Sequence, residues 1–290
     1  MAKKPAGGAK AATRAAAGTA ANAKPKGGYQ NIKVSRRKGA CMIQFDRPDK
    51  LNAISPEMAD EIIDALTVAE MDRKVIAVIL CGDDRAFCAG ADLSAMPTDP
   101  SLRFDQYRER FNVTPGRQLY RTLCFYTKPV ISAVEGYCLG GGFELALWGD
   151  FIVSGEGGSF GLPEVARGLI PGGGGTQNLP RLIGPALAKE LIWTARRIPA
   201  AEAKEFRIVN HVVPKGEALK KAQEIVETMA RNGPLGLMMS KQAINRGIDQ
   251  SRFNGFLGEG DLFHMLYFSE DRTEGLKAFA ERRPAKFKGQ

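Results

Sequence analysis

Residues 136–149 read Gly-Tyr-Cys-Leu-Gly-Gly-Gly-Phe-Glu-Leu-Ala-Leu-Trp-Gly, and they carry the strongest structural signal of the chain. An apolar run at 129–134 precedes it and predicts a short buried strand. The glycines at 140–142 then open a predicted helix through Leu147, although glycine is a poor helix former. Without a Cβ, these residues let a ligand approach backbone N–H groups that have no intrahelical partner, where the helix dipole favours negative charge. The stretch therefore predicts a strand and a helix with an anion or oxyanion site between them.

Glu144 lies one helical turn after Gly141 and on the same edge of the predicted helix. A carboxylate beside an oxyanion donor is a typical arrangement for proton transfer. The alternative is that the glycines only allow the helix to pack closely on the strand, with Glu144 as an ordinary surface acid. The residues of this stretch alone leave both interpretations open.

The composition indicates a globular protein whose 290 residues can form one large or two small domains. Hydrophobic residues make up 44% of the chain and charged residues 25%, and no apolar run is long enough to span a membrane. The five cysteines are scattered and the two histidines lie far apart, which disfavours a disulfide framework, a zinc site and a Ser-His-Asp triad. We expect a cytoplasmic protein with reduced thiols, and we favour a mitochondrial one less.

The net charge of +9 belongs mainly to the first 28 residues, which carry six basic side chains and no acidic one. The remaining chain has 35 basic and 32 acidic residues. Because residues 1–28 have almost no large apolar side chains, we predict a disordered basic tail. A transit peptide, a polyanion-binding arm and a solubility extension are the alternatives.

Three further segments are rich in glycine, proline and polar residues. Residues 47–55 read Arg-Pro-Asp-Lys-Leu-Asn-Ala-Ile-Ser, and Ser55-Pro56 predicts a helix start. A buried strand predicted at 75–80 leads to Phe-Cys-Ala-Gly-Ala-Asp-Leu at 87–93. Phe-Gly-Leu-Pro-Glu at 160–164 is followed by Ile-Pro-Gly-Gly-Gly-Gly-Thr-Gln at 170–177. The last glycine run is not a phosphate loop, because the chain contains no Gly-Lys dipeptide.

Together with residues 136–149, these segments resemble the signatures of the crotonase superfamily, the enoyl-CoA hydratase/isomerase proteins, and the resemblance covers about residues 32–288. It implies an α/β fold, with a crotonase-like spiral of ββα repeats in residues 29–200. It also implies a C-terminal helical trimerisation region in residues 201–290. A homotrimer or a dimer of trimers is expected by this analogy.

The resemblance also implies roles for particular residues. The backbone N–H groups of Ala91 and Gly141 would form an oxyanion hole, and Glu144 and Glu164 would be the catalytic carboxyls. The residues expected near the substrate or its CoA moiety are Lys50, Ala53, Ala89, Asp92, Leu93, Gly140, Pro163, Gly172 and Arg282. Neither a metal nor a cofactor is expected, since coenzyme A is part of the substrate. Asn178 stands where the family usually has arginine.

The implied activity is hydration of a 2-enoyl-CoA thioester, in which Glu144 activates water and Glu164 exchanges a proton with the substrate carbon. The presence of both glutamates favours a hydratase over related dehalogenases and hydrolases. A Δ3,Δ2-enoyl-CoA isomerase, with Glu164 as the proton shuttle, is the alternative. A non-catalytic RNA-binding or scaffold protein is a third possibility, disfavoured because the tail has no aromatic side chains for base stacking.

Overall fold

The computed structural model of the chain describes residues 28–95 and 113–290. The predicted tail, apart from Gly28, lies outside these residues. So do residues 96–112, which belong to the segment 94–126 that the family resemblance implies as the acyl pocket. The strands of the described part are β1 (Ile32–Arg37), β2 (Ala40–Phe45), β3 (Ala77–Cys81), β4 (Ala86–Cys88), β5 (Val130–Val134), β6 (Tyr137–Leu139), β7 (Phe151–Gly155), β8 (Ser159–Gly161), β9 (Ile198–Pro199) and β10 (His211–Val213).

The α-helices of the same residues, numbered in chain order, are α1 (Pro56–Met71), α2 (Pro115–Cys124), α3 (Gly141–Leu147), α4 (Gly175–Ile183), α5 (Pro185–Trp193), α6 (Ala200–Glu205), α7 (Ala218–Met229), α8 (Pro234–Gly247), α9 (Arg252–Tyr267) and α10 (Glu270–Ala280). Ser55 caps α1 as predicted, since its hydroxyl accepts a hydrogen bond from Met58 N at 3.2 Å.

Two sheets alternate along the chain. The larger has the strand order β1-β2-β3-β5-β7-β10, and the smaller has the order β4-β6-β8-β9. All pairs are parallel except β1–β2 and β8–β9. Each of β3, β5 and β7 in the larger sheet is followed directly by a strand of the smaller one, and β6 leads into α3. This confirms the predicted α/β fold with ββα repeats.

The larger sheet is covered on both faces, which explains the continuous apolar runs of its inner strands. All five residues of β3 and of β5 are buried. Val78 and Leu80 of β3 pack in the cluster that contains α1. Their neighbour Ile79 packs in a second cluster with residues of α7. β10 is therefore a strand of this sheet and α7 packs on it, although both follow residue 200. The domain boundary between residues 200 and 201 stays a prediction.

The structure differs from the sequence-based expectation at several short elements. The sequence predicts a strand at 32–34 and a turn at 36–39, but β1 extends to Arg37, because the hairpin turn needs only Lys38 and Gly39, with φ of 46° and 85°. β4 and β6 have three residues each, which is too short for a periodic sequence pattern that would predict a strand. Pairing with neighbouring strands of the smaller sheet stabilises them. The sequence predicts a helix from Leu179, but α4 begins at Gly175, four residues earlier. No helix among residues 28–95 and 113–290 is long and apolar enough to cross a membrane.

Candidate active site

The smaller sheet gathers the predicted site at one edge. Its parallel strands β4, β6 and β8 lie side by side, with Cys88 opposite Cys138 and Leu139 opposite Gly161. The chain leaves all three strands at the same edge of the sheet, which is where parallel α/β sheets bind ligands. Ala91, Gly141 and Glu164 each follow one of these strands within three residues, and the register therefore brings them together.

Two backbone N–H groups at this edge are available to a ligand. Gly90 and Gly140 have φ of 116° and 51°, a region that glycine adopts readily. Each of them turns the chain so that the next N–H, of Ala91 or of Gly141, donates to no acceptor among the described residues. A Cβ placed on Gly141 would lie 3.4 Å from Ala91 N, so both groups border one small volume. This is the geometry of an oxyanion hole.

The loop that carries Ala91 is fixed from the other side by the chain near Ile54. Ile54 N donates to Gly90 O at 2.8 Å, and Asp92 N donates to Ile54 O at 2.9 Å. Arg47 forms an ion pair of 2.9 Å with Asp92, and it also donates to Ala53 O. Asp92 therefore supports the loop through internal contacts, which the sequence analysis did not foresee.

Glu144 is buried, with 3% of its surface exposed, so the surface-acid interpretation is wrong. Its Oε1 accepts hydrogen bonds from Gly173 N at 2.7 Å and Gly175 N at 2.8 Å. Burial raises the pKa of this carboxyl, while the backbone N–H groups of residues 173–175 counteract part of that rise. The start of α4 thus fixes the orientation of Glu144.

Glu164 is half-buried, and its Oε2 has no hydrogen-bond partner among the described residues. Its Oε1 would lie 3.2 Å from a Cβ on Gly140, so the carboxyl stands against the glycine run. Burial, and then the nearby carboxylate of Glu144, raise the pKa of Glu164 to about 7. Two neighbouring carboxyls thus differ in their surroundings, because two N–H groups at the start of α4 donate to Glu144, whereas Oε2 of Glu164 has no partner among the described residues.

Three residues contact this site that the sequence analysis did not single out. Arg117 Nη1 donates to Gly172 O at 2.9 Å. Trp148 Nε1 donates to Gly173 O at 2.5 Å. Tyr120 Oη donates to Gly141 O at 2.9 Å. Arg117 and Tyr120 lie in α2, where the sequence predicts a helix over residues 116–126 and no function. Trp148 lies inside residues 136–149 but carries no pattern of its own.

The residues predicted near CoA are distributed unevenly. Gly140, Asp92 and Pro163 are next in sequence to Gly141, Ala91 and Glu164, and Gly172 precedes Gly173. Ala89 and Leu93 lie two positions from Ala91, while Lys50 and Ala53 lie in the loop before Ile54. Arg282 is exposed, and none of its contacts in the described chain reaches the site. Its neighbour Arg283 is the residue that forms ion pairs, with Glu274 and Glu281. Nothing in the structure explains Asn178, whose Nδ2 is buried without a partner in the described chain.

A metal site is a separate question from the carboxyl pair. Within residues 28–95 and 113–290, no group of three or more His, Cys, Asp or Glu side chains could hold a metal ion. The groups that the described residues bring together at this edge are the two backbone N–H donors and the two carboxyls.

Known proteins resemble this chain over almost all of its described length. The sequence model described as enoyl-CoA hydratase/isomerase matches residues 35–290. The crotonyl-CoA hydratase of Syntrophomonas wolfei is 36% identical over 260 residues, 89% of this chain and 98% of the relative. The 2,3-dehydroadipyl-CoA hydratase of Escherichia coli is 36% identical over 258 residues, 89% of this chain and 98% of the relative.

Solved structures agree with the sequence comparison. The crystal structure of enoyl-CoA hydratase from Bacillus anthracis superposes with a TM-score of 0.83 at 39% identity, covering 90% of this chain and 100% of that one. An enoyl-CoA hydratase from Mycobacterium tuberculosis gives a TM-score of 0.80 at 34% identity, covering 90% and 99%. The family match and these similarities show that the chain belongs to the enoyl-CoA hydratase/isomerase family.

Proposed function

We propose that this protein adds water across the 2,3 double bond of an enoyl-CoA thioester. The observation that carries the proposal is the single edge where two unengaged N–H groups, of Ala91 and Gly141, meet two carboxyls in different surroundings. Hydration of a conjugated thioester requires both parts. One stabilises negative charge on the carbonyl oxygen, and the other moves protons.

The oxyanion hole would bind the thioester oxygen. When water attacks the β-carbon, the electrons of the double bond move toward this oxygen and an enolate-like state forms. Backbone donors held in place by β4, β6 and the Ile54 contact need no reorganisation as the charge develops. One such donor typically lowers the barrier by about 3 kcal/mol.

The two glutamates would divide the proton transfers. Glu144, oriented by Gly173 and Gly175, would hold the attacking water and accept its proton. Glu164, with its pKa near 7, carries a proton in part of the population at neutral pH and would deliver it to the α-carbon. The proton taken up by Glu144 then restores Glu164 before the next turnover, so the sum of the steps is the addition of one water.

The assay follows the enoyl-thioester absorbance, which disappears when crotonyl-CoA is hydrated. We expect Glu144→Gln and Glu164→Gln each to reduce kcat by about 100-fold to 10,000-fold, the usual contribution of general acid–base catalysis. Glu135→Gln is the matched control, because Glu135 is also buried and its Oε1 also accepts two backbone N–H bonds, from Gly216 and Ala218. Unchanged hydration in either site variant would contradict the two-carboxyl mechanism.

Double-bond isomerisation is the alternative activity of this site, and it needs only the oxyanion hole and one proton shuttle. Incubation with a 3-enoyl-CoA separates the two. A hydratase leaves that substrate unchanged, whereas an isomerase converts it to the conjugated 2-enoyl-CoA and the absorbance increases. If Glu144→Gln abolishes hydration but keeps isomerisation, Glu164 is the shuttle.

The C-terminal helices support the proposal of a homotrimer or a dimer of trimers. Large apolar side chains of α8 to α10 are exposed in the single chain, among them Ile244, Phe253, Phe256, Phe263 and Phe279. Exposed apolar side chains on three successive helices fit a surface that a second copy of the chain covers. Light scattering in solution should give a mass of three or six chains.

We also propose a cytoplasmic location and an acyl-CoA substrate, with Lys50 and Arg282 as partners of its phosphates.

The basic tail should not take part in catalysis. We expect a variant that lacks residues 1–28 to keep the kcat and KM of the full chain for crotonyl-CoA. A tail that binds a polyanion would instead show salt-sensitive binding to nucleic acid that disappears with the deletion. A large loss of hydration without the tail would show that residues 1–28 contribute to the active site.

A further inference from the structure

Tyr120 of α2 reaches the place where the oxyanion hole is formed. A Cβ placed on Gly141 would lie 2.8 Å from Tyr120 Oη and 3.4 Å from Ala91 N. By covalent geometry the same point lies about 2.5 Å from the N of Gly141 itself. The phenol oxygen and the two unengaged N–H groups therefore border one volume, which is the volume that a thioester oxygen would occupy.

The ring of Tyr120 is held in this position by the bare Cα of Gly173. A Cβ on Gly173 would lie 2.5 Å from Cε2 and from Cζ of the ring, and 2.8 Å from Oε2 of Glu144. The phenol thus lies against the loop that orients Glu144, and its hydroxyl is near both parts of the proposed mechanism. The observed hydrogen bond, from Tyr120 Oη to Gly141 O, fixes the oxygen atom.

The hydroxyl of Tyr120 keeps its proton. Burial raises its pKa well above the ordinary value, and the carboxyls of Glu144 and Glu164 both add to the rise. A neutral phenol remains a hydrogen-bond donor, and its hydrogen rotates about the Cζ–Oη bond without any movement of the ring. Gly141 O, which accepts that hydrogen here, is also positioned as an acceptor inside α3. The hydrogen is therefore able to turn toward a stronger acceptor.

We propose that Tyr120 donates a third hydrogen bond to the thioester oxygen, beside the N–H groups of Ala91 and Gly141. This inference rests on the proposed function, because it requires a thioester in the hole. As charge develops on that oxygen, the phenol hydrogen turns from Gly141 O toward it, since a charged acceptor forms the stronger bond. The step forms and breaks no covalent bond.

The first test is Tyr120→Phe, which removes the hydroxyl and keeps the ring on Gly173. We expect kcat for crotonyl-CoA to decrease on the order of 100-fold with a much smaller change in KM, as for other oxyanion donors. Tyr126→Phe is the matched control. Tyr126 is also buried, and its hydroxyl also donates to a backbone carbonyl, Leu66 O at 3.0 Å, but it belongs to the packing against α1. The control should keep the activity of the unmodified protein.

The second test measures the donor without turnover. A 3-oxoacyl-CoA forms an enolate that places the same charge on the same oxygen, and the enolate has its own ultraviolet band. We expect Tyr120→Phe to raise the apparent pKa of enolisation of the bound ligand, with no change in Tyr126→Phe. A 3-fluorotyrosine at position 120, a stronger donor of the same shape, should lower it.

The outcomes separate this inference from the proposed function. If the unmodified protein does not hydrate crotonyl-CoA, the proposed function is wrong, while the enolate titration still decides the role of Tyr120. If Tyr120→Phe loses turnover but the enolisation pKa stays the same in both position-120 variants, Tyr120 only holds Gly141 and the inference is overturned. An unchanged kcat in Tyr120→Phe overturns it as well.

Discussion

Two buried glutamates of this protein hold helix starts in the same way. Glu135 Oε1 accepts from Gly216 N and Ala218 N, where α7 begins, and Glu144 Oε1 accepts from Gly173 N and Gly175 N, where α4 begins. Both carboxylates thus occupy the electropositive end of a helix. Among the described contacts, Glu144 has in addition a second carboxyl, a phenol and unengaged N–H groups beside it. The comparison shows that a buried glutamate at a helix start stabilises the fold by itself. A catalytic role depends on the groups that lie beside the carboxyl.

Truncation of Glu144 should reduce turnover, whereas truncation of Glu135 should reduce stability. The loss of turnover is the largest effect that we expect. Glu144→Ala should reduce kcat at least about 1,000-fold, because the water loses its base and its position. Glu135→Ala should keep kcat per folded molecule and reduce the free energy of unfolding by about 1–3 kcal/mol, because two backbone donors lose their acceptor. Turnover of crotonyl-CoA and urea unfolding measure both quantities. A large loss of kcat in Glu135→Ala at full folding would remove the distinction.

The glycines that donate to the two carboxylates provide the next test. A Cβ on Gly173 would lie 2.5 Å from the Tyr120 ring, whereas a Cβ on Gly216 would have no atom within 4 Å. We expect Gly173→Ala to displace Tyr120 or the loop and to reduce kcat about 100-fold. Gly216→Ala, at φ of 85°, should cost only about 1 kcal/mol of backbone strain and leave kcat intact. Equal kcat values in the two variants would contradict the close contact at Gly173.

The sequence predicted the long elements and the glycine turns of this protein, since apolar runs and caps are local signals. β3, β5, α1 and the C-terminal helices have such signals, and residues 136–149 identified Glu144 before its burial was known. The helix cap at Glu135 and the contacts of Tyr120 and Trp148 could not be predicted, because their partners lie 21 to 83 positions away. Their side-chain types do not distinguish a residue that contacts the site from ordinary core packing.

Burial outweighs the hydrogen bonding of the Glu164 carboxyl, whose Oε2 has no partner among the described residues, and its ionised form should therefore destabilise the fold. Its pKa is about 7 in the folded chain, above the ordinary 4.5. The folded state thus holds the proton more tightly than the unfolded state, and stability is lost as the pH rises from about 4.5 through 7. Glu164→Gln should remove this loss and raise the free energy of unfolding by at least about 1 kcal/mol at pH 8, with little change at pH 4. Urea unfolding at both pH values measures the difference, and an equal change at both would contradict the raised pKa.

The smallest effect should come from Trp148, which supports the Glu144 loop from one side. Its indole N–H donates to Gly173 O, and its ring would lie within 3 Å of a Cβ on Gly174, so it fixes the segment that orients Glu144. At Glu135, by contrast, the described contacts that orient the carboxyl are the two N–H bonds from the start of α7. Trp148→Phe keeps most of the packing and removes the donor, so we expect kcat to decrease about tenfold, at unchanged KM, with a loss of about 1 kcal/mol of stability. Trp193→Phe is the control, because that indole is 71% exposed and should affect neither quantity. If Trp148→Phe instead changes KM alone, the loop serves substrate binding, and Glu144 keeps its position through its two N–H bonds without the indole.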